Sequence, residues 1–228
     1  EKLKELSSLN NVDIGIVGGS NLEKQKEQIG DENFNMFKWI FAENGLQAFC
    51  DGKEIHLQNL VTKLGPTNYT KLINICLNEL SQIDNPIKTG TFIEYRNGMI
   101  NVSPIGRNCT QEQRDAFYAK DKIYNWRKKL IQRIKDKWEN YKCFENVSNI
   151  PELTFSIGGQ ISFDVFPLGW DKTYCLQFVK EKYEKIYFFG DKTMEGGNDY
   201  EIYNHIDTSG YSVTSPQDTI KFINKIFL

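Results

Sequence analysis

The chain has 228 residues, 39% of them apolar and 25% charged, with a formal net charge of −2. That length holds one large domain or two small ones, with the balance of an ordinary soluble globular protein, and the near-neutral charge excludes a global field that recruits nucleic acid or an anionic membrane. No apolar run reaches transmembrane length, and the opening Glu1-Lys2-Leu3-Lys4-Glu5-Leu6 does not read as a signal peptide. The cysteines Cys50, Cys76, Cys109, Cys143 and Cys175 are scattered without CxxC spacing, which fits reduced thiols in a cytoplasmic setting better than disulfides or zinc. Sequons begin at Asn68, Asn101, Asn108 and Asn146, but without a secretory signal they carry no message.

Leu3 to Leu9 reads as a helix fragment and Val12 to Val17 as a strand, broken by Gly18-Gly19-Ser20. A helix is predicted from Asn21 towards Ile29, ending at Gly30, followed by a short strand at Trp39-Ile40-Phe41-Ala42 and a hairpin around Asn44-Gly45 and Asp51-Gly52. This β-turn-α-β order predicts a parallel sheet. The middle differs in kind. Asn68 to Leu80 has helical spacing, and strands Thr91–Arg96 and Met99–Ser103 are joined by Asn97-Gly98, a strong hairpin signal. Thr110 with Gln113 forms a capping box that opens one long helix reaching at least Trp138. Lys142 to Glu152 is polar and irregular, and a second hairpin runs through Leu153–Ile157, Gly158-Gly159 and Ile161–Phe166.

After Pro167 the α/β rhythm resumes with a helix from Asp171 to about Lys180 and an apolar strand, Ile186-Tyr187-Phe188-Phe189. The loop Gly190 to Asp199, a helix near Asn198 to Asn204, a strand at Tyr211-Ser212-Val213 and a helix from Pro216 to Phe227 complete the chain. The simplest architecture is an α/β core in two sequence pieces, 1–58 and 169–228, with an α+β cap inserted at 59–168.

Several residues could carry chemistry. Asp191 lies just past the carboxyl end of a strand, where open α/β sheets bind ligands, and its loop suits a hard cation such as Mg²⁺ holding a phosphate. Strand-ending loops are also rich in Gly, Asp and Asn for local reasons. Ser20 sits at a helix start beside two glycines, which makes a good phosphate pocket, though on local sequence a plain helix cap is the commoner meaning of that pattern. Lys172, in a first helical turn, is easier to explain with an anion nearby, though a solvated lysine accounts for it as well. Arg96, Arg107 and Arg114 would clamp a phosphate if they converge; spacing alone does not exclude scattered surface arginines. Ser162 and Asp164 share one face of a strand, where they could bind sugar hydroxyls or simply face water, while Ile161, Phe163 and Val165 take the buried face. His56 and His205 have no partner at metal or triad spacing. Trp126 and Trp138, twelve apart, suit packing or a subunit interface.

Longer stretches add a resemblance. Val17-Gly18-Gly19-Ser20, Glu43-Asn44-Gly45-Leu46, Gly90 to Glu94, Arg96 to Met99, Asn101 to Arg107, Phe155 to Pro167 and the Gly190 to Asp199 loop are similar to eukaryotic-type phosphomannomutases of the haloacid dehalogenase superfamily. The similarity runs from Ile14 to Phe227. It implies a Rossmann-like haloacid dehalogenase core with an inserted α+β cap. It also implies interconversion of mannose 6-phosphate and mannose 1-phosphate for GDP-mannose synthesis, with Mg²⁺ and glucose 1,6-bisphosphate or mannose 1,6-bisphosphate as activator.

By position, Arg96, Arg107, Arg114, Ser162 and Asp164 match the family's sugar-phosphate contacts, Ser20 and Lys172 its core phosphate ligands, and Asp191 its Mg²⁺ carboxylate. Tyr203 and Thr208 match a second cation site, with His205 where the family usually has an acid. A homodimer through the cap is implied too, with hexose phosphates, not nucleic acid or membrane, as partners. The family's nucleophile and acid/base aspartates lie in an Asp-Val-Asp-Gly-Thr motif on an initial strand, and no Asp-x-Asp occurs here. The sequence therefore reads as a fragment expected to bind without turnover, its Ser20 and Lys172 supporting a nucleophile it lacks. Two rival functions are a phosphatase of the same superfamily and an inert sugar-phosphate-binding protein.

Overall fold

A computed structural model describes residues 2–85, 87–145 and 150–228, which fall into two units, Glu1–Gln58 with Gly169–Leu228, and Asn59–Leu168. In the first unit, α1 (Lys2–Ser7) precedes β1 (Gly15–Val17), a shorter strand than the sequence predicts. α2 (Leu22–Ile29) starts where Asn21 Oδ1 accepts the Lys24 amide at 3.0 Å. α3 (Asp31–Phe34) leads to β2 (Trp39–Ala42), buried at all four positions as its apolar run demands. β1 pairs with β2 in parallel. β3 (Gln47–Cys50) and β4 (Lys53–Leu57) then continue antiparallel, so the sheet order is β1-β2-β3-β4.

The second unit begins with α4 (Leu60–Leu64) and α5 (Pro66–Ser81), whose Pro66 occupies the first helical turn. β5 (Ile93–Arg96) and β6 (Met99–Val102) form the hairpin expected at Asn97-Gly98. The predicted long helix is two helices. α6 (Gln111–Tyr124) has the capping box of Thr110 and Gln113, and α7 (Trp126–Phe144) starts after Asn125, which is left-handed at φ 55°, ψ 40°. Asn is one of the few side chains that adopts this conformation readily.

Across that break, Asp121 Oδ1 accepts the Arg127 amide at 2.9 Å and Oδ2 accepts Arg127 Nε at 2.7 Å. Both side chains are buried. Lys142 to Phe144, read as irregular, belong to α7; residues 146–149, including the Asn146 sequon, lie outside the described residues. β7 (Leu153–Gly158) and β8 (Ser162–Pro167) complete an antiparallel sheet of order β5-β6-β8-β7. Ile100, Val102, Phe163 and Val165 fill its apolar face and are fully buried. α5 packs on α7 and β5, and α7 on β7.

The chain returns to the first unit through a 3-10 helix, Lys172–Phe178, capped by Asp171, where an α-helix to Lys180 was expected. β9 (Tyr187–Gly190), α8 (Tyr200–Tyr203) and β10 (Ser209–Ser212) follow, β9 and β10 pairing in parallel. α9 (Pro216–Ile226) is capped by Ser215. Trp39, Phe41, Cys175, Leu176, Phe188 and Ile202 share one buried cluster, which seats the 3-10 helix beside both sheets. All five cysteines are unpaired thiols. Burial pushes Cys76 and Cys175 up to about 12, so both stay as inert thiols. Among the described residues, no helix is long and apolar enough to cross a membrane.

The Asp121–Arg127 pair yields a stability prediction. Asp121→Ala leaves Arg127 buried without its counter-ion, and removing one member of such a pair costs about 3–5 kcal/mol. The urea unfolding midpoint of the variant is expected to fall accordingly; a midpoint equal to wild type would show that the pair contributes nothing.

Candidate functional site

In the first unit a chain of polar contacts links the loops that carry Ser20, Lys172 and Asp191. Asn21, not Ser20, caps α2, so the serine hydroxyl is not spent on the helix end. The loop before it is pinned by Gln25, buried on α2, whose Nε2 donates to the carbonyls of Phe41 at 3.1 Å and Gly18 at 3.3 Å. Glu43 N donates to Ser20 O at 2.9 Å and Asn44 N to Gly18 O at 2.8 Å. Asn44 Nδ2 reaches Trp170 O at 3.1 Å, tying this loop to the segment that carries Lys172.

Lys172 Nζ then donates to Asp199 Oδ1. The other oxygen of Asp199 accepts the amides of Asp191 and Lys192, each at 3.0 Å. Asp199 is 2% exposed, a carboxylate held inside by one ammonium and two N–H groups. Gly190 makes room for it, because a Cβ there would stand 2.7 Å from Asp199 Oδ2. The Asp191 carboxylate itself is exposed, and the Lys192 ammonium stands 3.7 Å away. Sequence reasoning picked Asp191 and missed Asp199, although both are acids of one loop; the signal was there, but its buried partner Lys172 is 27 residues away.

His56, set aside on sequence, also supports this side. Its Nε2 and the Tyr174 hydroxyl share a hydrogen bond of 3.0 Å, and its ring lies 5.1 Å from that of Phe178, both on the 3-10 helix begun by Lys172. Burial lowers the His56 pKa below the ordinary value of 6.5.

In the second unit, β-sheet register assembles the other group. Asn101 lies directly opposite Glu94 on one side and Asp164 on the other, so these three side chains share the face away from the apolar core. Arg96 and Ser162 are two residues along from Glu94 and Asp164 and join the same face. Arg96 donates to Glu94 Oε2 from Nε at 2.9 Å and from Nη2 at 2.7 Å, and Arg107 Nε stands 3.3 Å from that same oxygen. Arg107 Nη1 donates to Asn101 Oδ1 at 2.5 Å, while Asn101 Nδ2 donates to Ser162 Oγ at 3.1 Å and Asp164 Oδ1 at 2.7 Å.

Arg114 donates from Nη2 to the Arg107 carbonyl at 2.8 Å, so it braces Arg107 from behind. Arg107 is further held by its amide, which donates to Thr91 O at 3.1 Å. This needs glycine at 106: φ is +84°, and a Cβ would lie 2.2 Å from Gly90 O. Arg127 Nη1 donates to Gly159 O at 3.1 Å and Ser162 O at 3.0 Å, fixing the turn that places Ser162. Ser162 is itself buried. Glu94 and Asn101 are the residues sequence reasoning missed; only the strand register reveals them.

The Tyr203–Thr208 loop is closed by its own hydrogen bonds. Thr208 Oγ1 donates towards Ile202 O at 2.5 Å and His205 O at 3.1 Å, and Asp207 N donates to His205 Nδ1 at 3.2 Å. Position 205 offers an imidazole that accepts the Asp207 amide rather than a carboxylate. Among the described residues there is no cluster of three or more His, Cys, Asp or Glu side chains able to hold a metal.

Asp199→Ala strands a mostly buried Lys172 and frees the Asp191 and Lys192 amides. Stability is expected to drop by about 3 kcal/mol, with faster hydrogen exchange at those two amides; unchanged exchange would refute the bracing role. Because His56 in the folded protein resists the proton that the unfolded chain accepts near 6.5, its contribution is present above that pH and lost as pH falls below it. The melting temperature of His56→Asn is therefore expected to fall less than that of wild type between about pH 7.5 and pH 5. Parallel curves would refute this.

The chain matches the family model of eukaryotic phosphomannomutases over residues 2–228. Phosphomannomutase of Arabidopsis thaliana is 52% identical over 217 residues, covering 95% of this chain and 84% of that protein. That of Schizosaccharomyces pombe is 50% identical, covering 100% of this chain and 86% of its own. Among solved structures, Plasmodium falciparum IMP-nucleotidase is similar at a TM-score of 0.59 and 16% identity, covering 100% of this chain and 58% of that one. Aspergillus fumigatus trehalose-6-phosphate phosphatase is similar at a TM-score of 0.54 and 15% identity, covering 98% and 81%. At such identities the likeness concerns the fold alone, and it agrees with the mixed α/β class expected from the sequence. The chain belongs to the eukaryotic phosphomannomutase family.

Proposed function

We propose that this protein interconverts mannose 6-phosphate and mannose 1-phosphate, passing through a hexose 1,6-bisphosphate, and so supplies GDP-mannose synthesis. The observation that carries the reading is the polar sheet face of the second unit. Two guanidinium groups, Arg96 and Arg107, with Arg114 behind them, adjoin a Ser162–Asp164 pair suited to sugar hydroxyls. A phosphatase needs one phosphate site; a mutase needs two, because either phosphate of the bisphosphate must reach the nucleophile in turn. The Arg96–Arg107 set is one, and Ser20 with Lys172 in the first unit is the other.

Mg²⁺ fits Asp191. Its carboxylate is an exposed hard donor just past the end of β9, and its backbone amide is held by Asp199, which is itself committed to Lys172. Mg²⁺ commonly takes one or two carboxylates and fills its shell with water and phosphate oxygens. When bound, it would supply positive charge to a phosphate. Lys172 would add a second, fixed charge there, and Ser20 a hydroxyl donor. The family's nucleophile belongs to an Asp-x-Asp motif that these 228 residues do not contain, so the roles assigned here are binding and positioning. Glucose 1,6-bisphosphate or mannose 1,6-bisphosphate as activator, a homodimer through the inserted unit and a cytoplasmic location belong to the same reading.

The native protein is expected to convert mannose 1-phosphate in the presence of Mg²⁺ and glucose 1,6-bisphosphate, followed by ³¹P spectroscopy; no turnover would sink the assignment. Arg107→Ala is expected to cut mutase turnover by about 100-fold or more while sparing much of the hydrolysis of a small phosphoester. Equal loss of both would overturn the two-site argument in favour of a phosphatase.

A further inference from the structure

We infer that Asn101 is the positioning residue that joins the phosphate clamp and the hydroxyl-binding pair of the second unit, and thereby sets selectivity for a phosphosugar over bare phosphate. The inference rests on the sugar-phosphate reading above. Asn101 is 4% exposed, so it acts through its neighbours. Register sets it between two carboxylates, Glu94 and Asp164. Its amide is a rigid plane with donors on one side and an acceptor on the other. Nδ2 is spent on Ser162 and Asp164, and Oδ1 on Arg107. Arg107 and the Ser162–Asp164 pair are therefore tied to one plane, and neither can turn without turning the other.

No other side chain does this at position 101. Aspartate would lose both donors and place a third carboxylate in the row. Leucine would orphan three polar partners at once. Glutamine is one methylene too long for a directly opposed pair. Serine reaches neither Arg107 nor Asp164 from the same Cβ. Removing the amide should leave phosphate binding largely intact. Arg107 keeps Glu94, and its backbone stays pinned by Arg114 and Thr91. What is lost is the orientation of Ser162 and Asp164 relative to that phosphate.

The test is titration calorimetry with mannose 1-phosphate and with inorganic phosphate, on wild type, Asn101→Ala, Asp164→Ala and the double variant, each checked for an unfolding transition. Asn101→Ala is expected to weaken mannose 1-phosphate by about tenfold and inorganic phosphate by less than about threefold. The double variant should be no more than about twofold weaker than Asp164→Ala alone, because the two residues act as one unit. If Asn101→Ala fails to fold, Asn101→Ser replaces it with the same expectations. Equal losses for both ligands with additive effects would assign Asn101 a merely structural role and overturn the inference, as would unchanged affinities. A wild-type chain that binds inorganic phosphate but not mannose 1-phosphate would overturn the proposed function and this inference together.

Discussion

Strand register in the β5-β6-β8-β7 sheet is the constraint on which the second unit depends. Side chains alternate between faces, so a slip of one residue moves every polar group to the wrong side. With Asn101 opposite Asp164 and Val102 opposite Phe163, one face is apolar and the other carries the charges. A slipped β6 would bury Asn101 against Phe163 and Val165 and lift Ile100 and Val102 into water, losing both the core and the polar row. The Asn97-Gly98 turn fixes one side of this register. The other is fixed by Arg127, which holds the carbonyls around the β7–β8 turn, and by Ser103, whose hydroxyl donates to Ile161 O at 3.2 Å. Packing and polar geometry thus select the same pairing, which is how a sequence specifies one structure.

Both units bury charge for placement more than for stability. Taking Asp199 and Lys172 out of water costs each its hydration, and a buried ion pair often does no better than apolar residues of equal volume. What the pair does give is position. Asp199 has four contacts' worth of geometry in one carboxylate: an ammonium on one oxygen, two successive amides on the other, and a glycine cleared to admit it. Successive amides converging on one oxygen turn the backbone sharply at Asp191. The Asp121–Arg127 pair does the same for the break between α6 and α7, and from there for the turn beside Ser162.

What was legible in the sequence was local. The Asn97-Gly98 hairpin, the Thr110–Gln113 box and the apolar runs of β2 and β9 each state their structure within a few residues, and they suffice for an α/β class with an α+β middle. The break at Asn125 was not legible, because helical spacing continues through it on both sides; it depends on Arg127 donating from its amide and guanidinium to Asp121. The 3-10 winding at Lys172 depends on Asp171 accepting from Thr173 at 2.8 Å, a choice that competes with an α-helical turn. Asp199, Glu94 and Asn101 were missed for a related reason. Each looks like an ordinary polar residue until register or a partner far along the chain shows what it holds, whereas Arg96, Arg107 and Asp191 show their charge in the sequence itself.

The cations of both units are already partnered. Lys172 has Asp199, and Arg96 and Arg107 share one oxygen of Glu94. Three bare guanidinium groups would repel one another and swing to separate; a shared carboxylate holds two of them in register while cancelling part of their charge. A phosphate then meets donors that need little rearrangement, at the expense of competing with Glu94 for them. On the proposed reading that compromise suits a mutase. A bisphosphate has to let go of each site in order to turn around, so a phosphate held as tightly as three unopposed arginines could hold it would be an inhibitor. On that reading moderate affinity with fixed geometry serves the reaction better than maximal affinity, and the carboxylate at 94 would supply the moderation.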